Sequence, residues 1–190
     1  MASGSMCFIN LQKDFLEKSN VIKITDNLFS EDELNLILEH NSEMEQDRTN
    51  SRSWKNHPLT DYVKTDVGRA IRLDARISSD DKDVIDLIVD RLELDYPKIR
   101  IAYYYNSPGW KFKLHPDHNR DFSASIYLND NWDNAKYGGE FIWLDDSENE
   151  HVVNVKFNRM VSFYPPVWHY TNMIKEGAPV RKSIQVFCEE

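Results

Sequence analysis

The chain has 190 residues, 41% hydrophobic and 29% charged, with a formal net charge of −9. That length suits one domain with a sizeable core and is short for two, and no apolar run approaches the roughly 18 residues of a membrane-spanning helix. The acidic balance argues against non-specific binding to nucleic acid or to an anionic membrane.

The first residues, Met1-Ala2-Ser3-Gly4-Ser5-Met6, lack a charged segment followed by an apolar stretch, so they do not read as a secretory leader. Residues 1–5 read as a cloning remnant ahead of a native Met6, which leaves 6–190 as a single unit. Cys7 and Cys188 lie at opposite ends with no metal-type spacing, which fits the reducing cytoplasm better than a disulfide framework. Val21-Ile22-Lys23-Ile24 reads as a short strand. Ser30-x-x-Glu33 is a capping box, with Glu31 and Asp32 where a helix dipole favours anions. Leu34, Leu36, Ile37 and Leu38 then give a helix an apolar face up to about His40. Residues 41–60 are polar and read as a loop. Arg69 to Ile77 alternates like a strand. Asp80 to Leu94 reads as a second helix, buried through Val84, Ile85, Leu87, Ile88 and Leu92.

After Pro97 the character changes. Ile99 to Tyr105 is β-branched and aromatic, and Asn106-Ser107-Pro108-Gly109 is a turn signal. Short strands follow at Trp110–Leu114, Phe122–Leu128, Glu140–Leu144, Val152–Phe157, Met160–Tyr164 and Arg181–Cys188. Phe157-Asn158-Arg159-Met160 reads as a tight hairpin, since Asn tolerates positive φ. Helices followed by a run of short strands point to a mainly β fold with flanking helices: an antiparallel barrel or jelly roll on an N-terminal helical buttress.

Within these strands lies Lys113-Leu114-His115-Pro116-Asp117. Residues i and i+2 of a strand share a face, so His115 and Asp117 can aim an imidazole and a carboxylate at one point. His169, far downstream, can deliver a second imidazole from another strand. Two His and one carboxylate with open positions opposite is the ligand set of non-haem Fe(II) oxygenases. His118 and Asp121 are rival ligands, but a spacing of three does not put them on one strand face. A chelating 2-oxoacid needs its distal carboxylate held, and the planar fork of an arginine suits it. Arg181 opens the last strand and can return beside the metal; Lys175 and Lys182 are the neighbouring alternatives. The Tyr127 hydroxyl, mid-strand, can donate a further bond. The paired Gly138-Gly139 before a strand suggests a tight turn or a close backbone approach.

Taken together, Tyr105 to Asp117, the Ile126-Tyr127-Leu128-Asn129 segment running through Trp132 into Gly138-Gly139-Glu140, and Val155 to Phe163 with His169 and Arg181 to Phe187 resemble the 2-oxoglutarate- and Fe(II)-dependent oxygenases of the prolyl 4-hydroxylase type. The similarity spans nearly half of the chain and is strongest to hypoxia-inducible-factor prolyl hydroxylases and their bacterial and viral relatives. It implies a double-stranded β-helix over about 99–188. It also implies that His115, Asp117 and His169 hold iron, that Arg181 and Tyr127 hold the distal carboxylate of 2-oxoglutarate, and that Tyr105 lines the pocket near that co-substrate. Fe(II), 2-oxoglutarate and O2 are the implied cofactors, with ascorbate as reductant. Phe187 stands where relatives often carry Trp. The retained Asp117 sets the chain apart from related halogenases, in which a small residue replaces that carboxylate. The implied activity is hydroxylation of a peptidyl proline, with a free amino acid or other small molecule as the alternative substrate. Nucleic-acid demethylases of the superfamily carry a second arginine six residues after the first, and Phe187 occupies that position here. Trp110, Trp143 and Trp168 are candidates for the substrate pocket, with Tyr164 beside them on an aromatic rim. A barrel that only binds a ligand or partner, without catalysis, is the contrasting class.

Overall fold

The computed structural model describes residues 22–46, 52–53, 58–59, 68–74 and 78–190. Residues 1–5, Cys7 and Val21 lie outside the described residues, as do most of 47–60 and residues 75–77.

The elements in chain order are β1 (Lys23–Asp26), α1 (Glu31–Gln46), β2 (Arg52–Ser53), β3 (Gly68–Arg72), α2 (Ser79–Leu92), β4 (Lys98–Asn106), β5 (Phe112–His115) and β6 (Phe122–Tyr127). They continue with α3 (Asn134–Tyr137), β7 (Phe141–Leu144), β8 (Glu150–Val153), β9 (Arg159–Phe163), β10 (His169–Thr171) and β11 (Arg181–Glu189). Among the described residues they form two antiparallel sheets. The larger runs β1-β9-β6-β11-β4-β3-β2 and the smaller β5-β10-β7-β8. The two sheets face each other as in a double-stranded β-helix, and the two long helices cover the outer side of the larger one.

The capping box forms. Ser30 N–H donates to Glu33 Oε2 at 2.7 Å, and Glu33 N–H donates to Ser30 Oγ at 3.4 Å. Arg91 from α2 pairs with the same carboxylate, and these contacts hold the Glu33 carboxyl down at about 2. The helix continues past His40 to Gln46. Its last turn is polar in sequence, yet Asn41 and Met44 are buried, and tertiary packing rather than propensity extends it. The link between the helices is polar. His40 Nε2 lies 3.2 Å from Asp81 Oδ1, and His40 Nδ1 lies 3.2 Å from the Tyr103 hydroxyl.

Strand alternation sorts β4 between two environments. Ile101, Tyr103 and Tyr105 join Ile37, Val84 and Ile88 in the core under the helices. Ala102 and Tyr104 face the other way, toward the smaller sheet. Each fully buried aliphatic contributes roughly 2 kcal/mol, so a one-residue slip of β4 would forfeit the whole set. A second core, containing Trp110, Tyr127, Phe141 and Phe163, fills the space between the sheets.

Two local expectations are corrected. β3 ends at Arg72, and a turn follows at Leu73 and Asp74. The Phe157–Met160 turn is not a hairpin, because β8 pairs with β7 whereas β9 pairs with β1 and β6. It carries the chain from one sheet to the other. Asn158 takes φ 57° there. Its side chain accepts from Phe29 N–H at 3.0 Å and donates to Phe29 O at 2.8 Å.

Asn158→Ala leaves both Phe29 groups buried and unpaired. At about 1–3 kcal/mol for each, chemical denaturation should show a loss of about 3 kcal/mol. A loss under about 1 kcal/mol would mean that another group satisfies them.

Candidate metal centre and co-substrate pocket

Two strands and one turn supply the three ligands. His115 ends β5 and His169 begins β10, and the two are register partners, so their rings project from the same face, 4.4 Å apart between centroids. Asp117 is not on the strand, as the i, i+2 argument assumed. β5 stops at His115, and Asp117 sits in the turn closed by Arg120 N–H donating to Asp117 O at 3.1 Å. The turn nevertheless returns the carboxylate to the imidazoles. One ligand atom from each of His115, Asp117 and His169 lies within 4.8 Å of the others.

Each ring is oriented in the same way. His115 Nδ1 is 2.6 Å from Lys113 O, and His169 Nδ1 is 2.8 Å from Val167 O. A proton on Nδ1 satisfies each contact and leaves each Nε2 lone pair for a cation, the usual device for fixing a metal-binding tautomer. Ser123 Oγ donates to Asp117 Oδ2 at 2.8 Å, which leaves Oδ1 facing His115 Nε2 at 3.7 Å. Phe141 stacks on the His169 ring at 5.1 Å, and Phe163 packs at 4.9 Å. Burial in this apolar collar lowers the His169 pKa to about 4; the proximity of Asp117 opposes the shift and His115 adds to it. A ring held neutral is available to a metal. His118 and Asp121 do not join the cluster. His118 is exposed against Trp168, and Asp121 accepts a bond from Glu190 N–H at 2.8 Å.

A cavity of about 230 Å³ opens beside the triad. At one end lies Arg181, 3% exposed. Its Nη1 donates to Gly139 O at 2.7 Å, while its Nε and the Tyr127 hydroxyl are buried without a partner. Among the described residues no carboxylate pairs with this guanidinium, and burial pushes its pKa down. A buried cation without a counter-charge is costly, so the pocket is complete only with an anion in it. The distal carboxylate of a 2-oxoacid fits, because Arg181 presents a fork and Tyr127 an unused hydroxyl. Neither lysine alternative reaches this pocket. Lys175 donates to Ala135 O at 2.9 Å, and Lys182 pairs with Glu45 at 2.6 Å.

The paired glycines make this approach possible. Gly138 and Gly139 take φ 67° and 80°. A Cβ on Gly138 would run into the Met173 carbonyl, and one on Gly139 would sit 3.4 Å from Arg181 Cδ.

Tyr105 is not in the cavity lining. Alternation turns it to the helix side, where its hydroxyl donates to Asn41 O at 3.1 Å and accepts from Asn41 Nδ2 at 3.0 Å; Tyr104 lines the cavity instead. Of the three tryptophans, Trp110 lines the cavity, buried at its co-substrate end with the Arg181 guanidinium 5.3 Å from its ring. Trp143 stacks on His151 at 4.4 Å, outside the lining, and Trp168 is 49% exposed. Sequence reasoning missed Arg120, Ser123 and Gln185, all of which line the cavity. Alternation from Tyr127 along β6 would have found Ser123; no pattern marked Arg120.

Two imidazoles and a carboxylate beside an anion-seeking pocket, inside a double-stranded β-helix, define a non-haem iron oxygenase. Residues 99–189 match the 2OG-Fe(II) oxygenase superfamily, whose members use Fe(II), 2-oxoglutarate and O2. No curated relative matches the sequence. The fold is similar to that of a Pseudomonas putida prolyl-4-hydroxylase (TM-score 0.68, 16% identity, 93% of this chain and 96% of that one). It is also similar to a Trichoplax adhaerens prolyl hydroxylase in complex with a hypoxia-inducible-factor oxygen degradation domain peptide fragment (TM-score 0.69, 15% identity, 97% and 94%). A Burkholderia pseudomallei oxidoreductase of the 2OG-Fe(II) oxygenase family matches with TM-score 0.62 at 14% identity, over 98% and 92%. Among the described residues no helix is long and apolar enough to cross a membrane.

The low His169 pKa has a stability consequence. Between about 4 and the ordinary 6.5 the unfolded chain binds the proton that the folded chain refuses. Stability of the metal-free protein therefore falls as pH drops through that window. Thermal unfolding at steps from pH 7 to 4 should show a decline that His169→Gln makes shallower. An equal decline in the variant would mean that this ring is charged in the fold.

Proposed function

We propose that the protein is a prolyl 4-hydroxylase-like dioxygenase that hydroxylates a peptidyl proline. The observation that carries the oxygenase chemistry is the unpaired Arg181–Tyr127 pocket beside the His115–Asp117–His169 triad. The proline assignment is supported by the near full-length likeness to two prolyl hydroxylases, one of them holding a peptide.

Bound Fe(II) and 2-oxoglutarate supply the oxidising chemistry: O2 is consumed, 2-oxoglutarate becomes succinate and CO2, and one oxygen atom enters a C–H bond of the substrate. The chain's own residues bind and orient. His115, Asp117 and His169 would hold the metal, with tautomers set by Lys113 O and Val167 O and the carboxylate set by Ser123. Arg181 and Tyr127 grip the distal carboxylate at the closed end. Phe141, Phe163 and Trp110 keep water from the imidazoles and the guanidinium, which strengthens each polar contact. Ascorbate would serve as an external reductant, and a cytoplasmic site is supported by the free, buried Cys188 thiol.

A second reading, hydroxylation of a free amino acid or other small molecule, is favoured by the size of the cavity. About 230 Å³ is below the roughly 300–1,000 Å³ of sites that enclose drug-sized ligands.

Anaerobic titration with Fe(II) and 2-oxoglutarate should develop a metal-to-ligand charge-transfer band. No band at saturating concentrations would refute the oxygenase assignment. Proline-containing peptides should then yield hydroxyproline; no product across a broad set would refute the proline assignment. His115→Ala, Asp117→Ala and His169→Ala should each abolish the band and turnover while the fold persists by circular dichroism. Arg181→Ala should raise the 2-oxoglutarate requirement by about tenfold or more, the loss of a charge-assisted pair of bonds. An unchanged requirement would move the carboxylate site elsewhere.

A further inference from the structure

Arg120 stands in a cluster of cations that the triad and the co-substrate pocket do not use. Arg120 lines the cavity, with its guanidinium 5.1 Å from the centre of the Phe187 ring. Arg100 is the register partner of Phe187 across β4 and β11, and Arg72 is the partner of Ala102, two residues from Arg100 on the same face. Lys98 is the register partner of Glu189.

Among the described residues, these four cations form ion pairs with two carboxylates. Arg72 pairs with Asp74. Glu189 is shared among Lys98, Arg100 and Arg120. Asp117 also attracts Arg120, but one of its oxygens holds Ser123 and the other faces the metal position. The Arg120 side chain is only 23% exposed, and burial beside Arg100 and Arg72 depresses its pKa. A half-buried guanidinium crowded by like charges accepts a further anion readily.

Position decides what the anion is for. The Asp117–Arg120 turn bond, 3.1 Å long, anchors Arg120 one turn from a metal ligand. Arg120 and Asp117 line the same cavity. Arg181 and Phe187 are six residues apart on β11, about 20 Å along a strand. Arg120, beside Phe187, and Arg181 both line the one cavity and lie well apart along it. Gln185 and Ser125, joined at 2.7 Å, form the polar wall along that path.

We propose that Arg120, backed by Arg100 and Arg72, binds a carboxylate on the substrate, so that the hydroxylated molecule carries an anionic group beside its target C–H. The proposal rests on the hydroxylase reading and narrows its substrate class. The carboxylate comes from an acidic side chain next to the target proline or from the α-carboxylate of a free amino acid; the recognition chemistry is the same.

Binding measured on protein loaded anaerobically with Fe(II) and 2-oxoglutarate tests this without turnover. The probes are labelled proline peptides with Glu or Gln flanking the proline, followed by anisotropy, and free proline against prolinamide, followed by tryptophan fluorescence. The carboxylate form of at least one pair should bind tenfold or more tightly than its amide. The pair that responds identifies the source. Arg120→Gln should reduce that preference to within twofold. Glu189→Gln removes the competing carboxylate and should tighten binding of the acidic probe, the opposite of what a folding defect would do. Equal binding within both pairs would overturn the proposal, as would a preference that survives Arg120→Gln or an acidic probe that binds more weakly to Glu189→Gln. Product analysis on the same ligands separates the two readings. Charge-selective binding without hydroxyproline on any ligand refutes the proline assignment alone. Equal hydroxylation of the Glu and Gln peptides, with equal binding, refutes the rim alone.

Discussion

A buried guanidinium with no carboxylate partner among the described residues governs this structure. Arg181 is enclosed by Gly139, Trp110 and Tyr127, and its one described hydrogen bond goes to a neutral carbonyl. Leaving a charge in that state is expensive, and the surrounding geometry serves to hold it there. The paired glycines give up their side chains to let the backbone approach. Trp132 Nε1–H then ties Gly138 O at 2.9 Å, which fixes the turn from the other side. The enclosed charge is preorganised for an anionic ligand and needs no rearrangement when one arrives.

The metal position depends on a different constraint. Both imidazoles bond the carbonyl two residues earlier in the chain, so the orientation of each ligand is set locally. The distance between them is set by one register pair of the smaller sheet, His169 with His115. Asp117 is the exception. It is placed by a turn and steadied by Ser123 from the larger sheet, so this ligand is the one that spans the two sheets.

Much of the site was legible because its residues are rare and chemically specific. Two histidines, an aspartate and a strand-opening arginine could be read as a set, and the structure assembles them around one cavity. The glycine pair was legible as a close approach, although its beneficiary, Arg181, was not. Legibility failed where geometry depends on parity or on turns. Tyr105 and Tyr104 are chemically alike neighbours, and only the phase of β4 decides which reaches the cavity. The Phe157–Met160 turn has the residues of a hairpin, but tertiary pairing sends its two strands to different sheets. The length of α1 escaped because its last turn is buried through Asn41 and Met44, which no apolar stripe advertises. Arg120 escaped because an arginine in a polar loop has no periodicity to betray it.

The odd and even residues of β4 serve different ends. Ile101, Tyr103 and Tyr105 hold the helices; Ala102 and Tyr104 face the other way, and Tyr104 lines the cavity. A side chain on the second set can be exchanged without touching the packing that keeps the sheet against α1 and α2. Selection on what the enzyme accepts and selection on whether it folds therefore act on separate letters of the same strand. A lineage with this sheet can change substrates in small steps, keeping its stability while the inner face drifts.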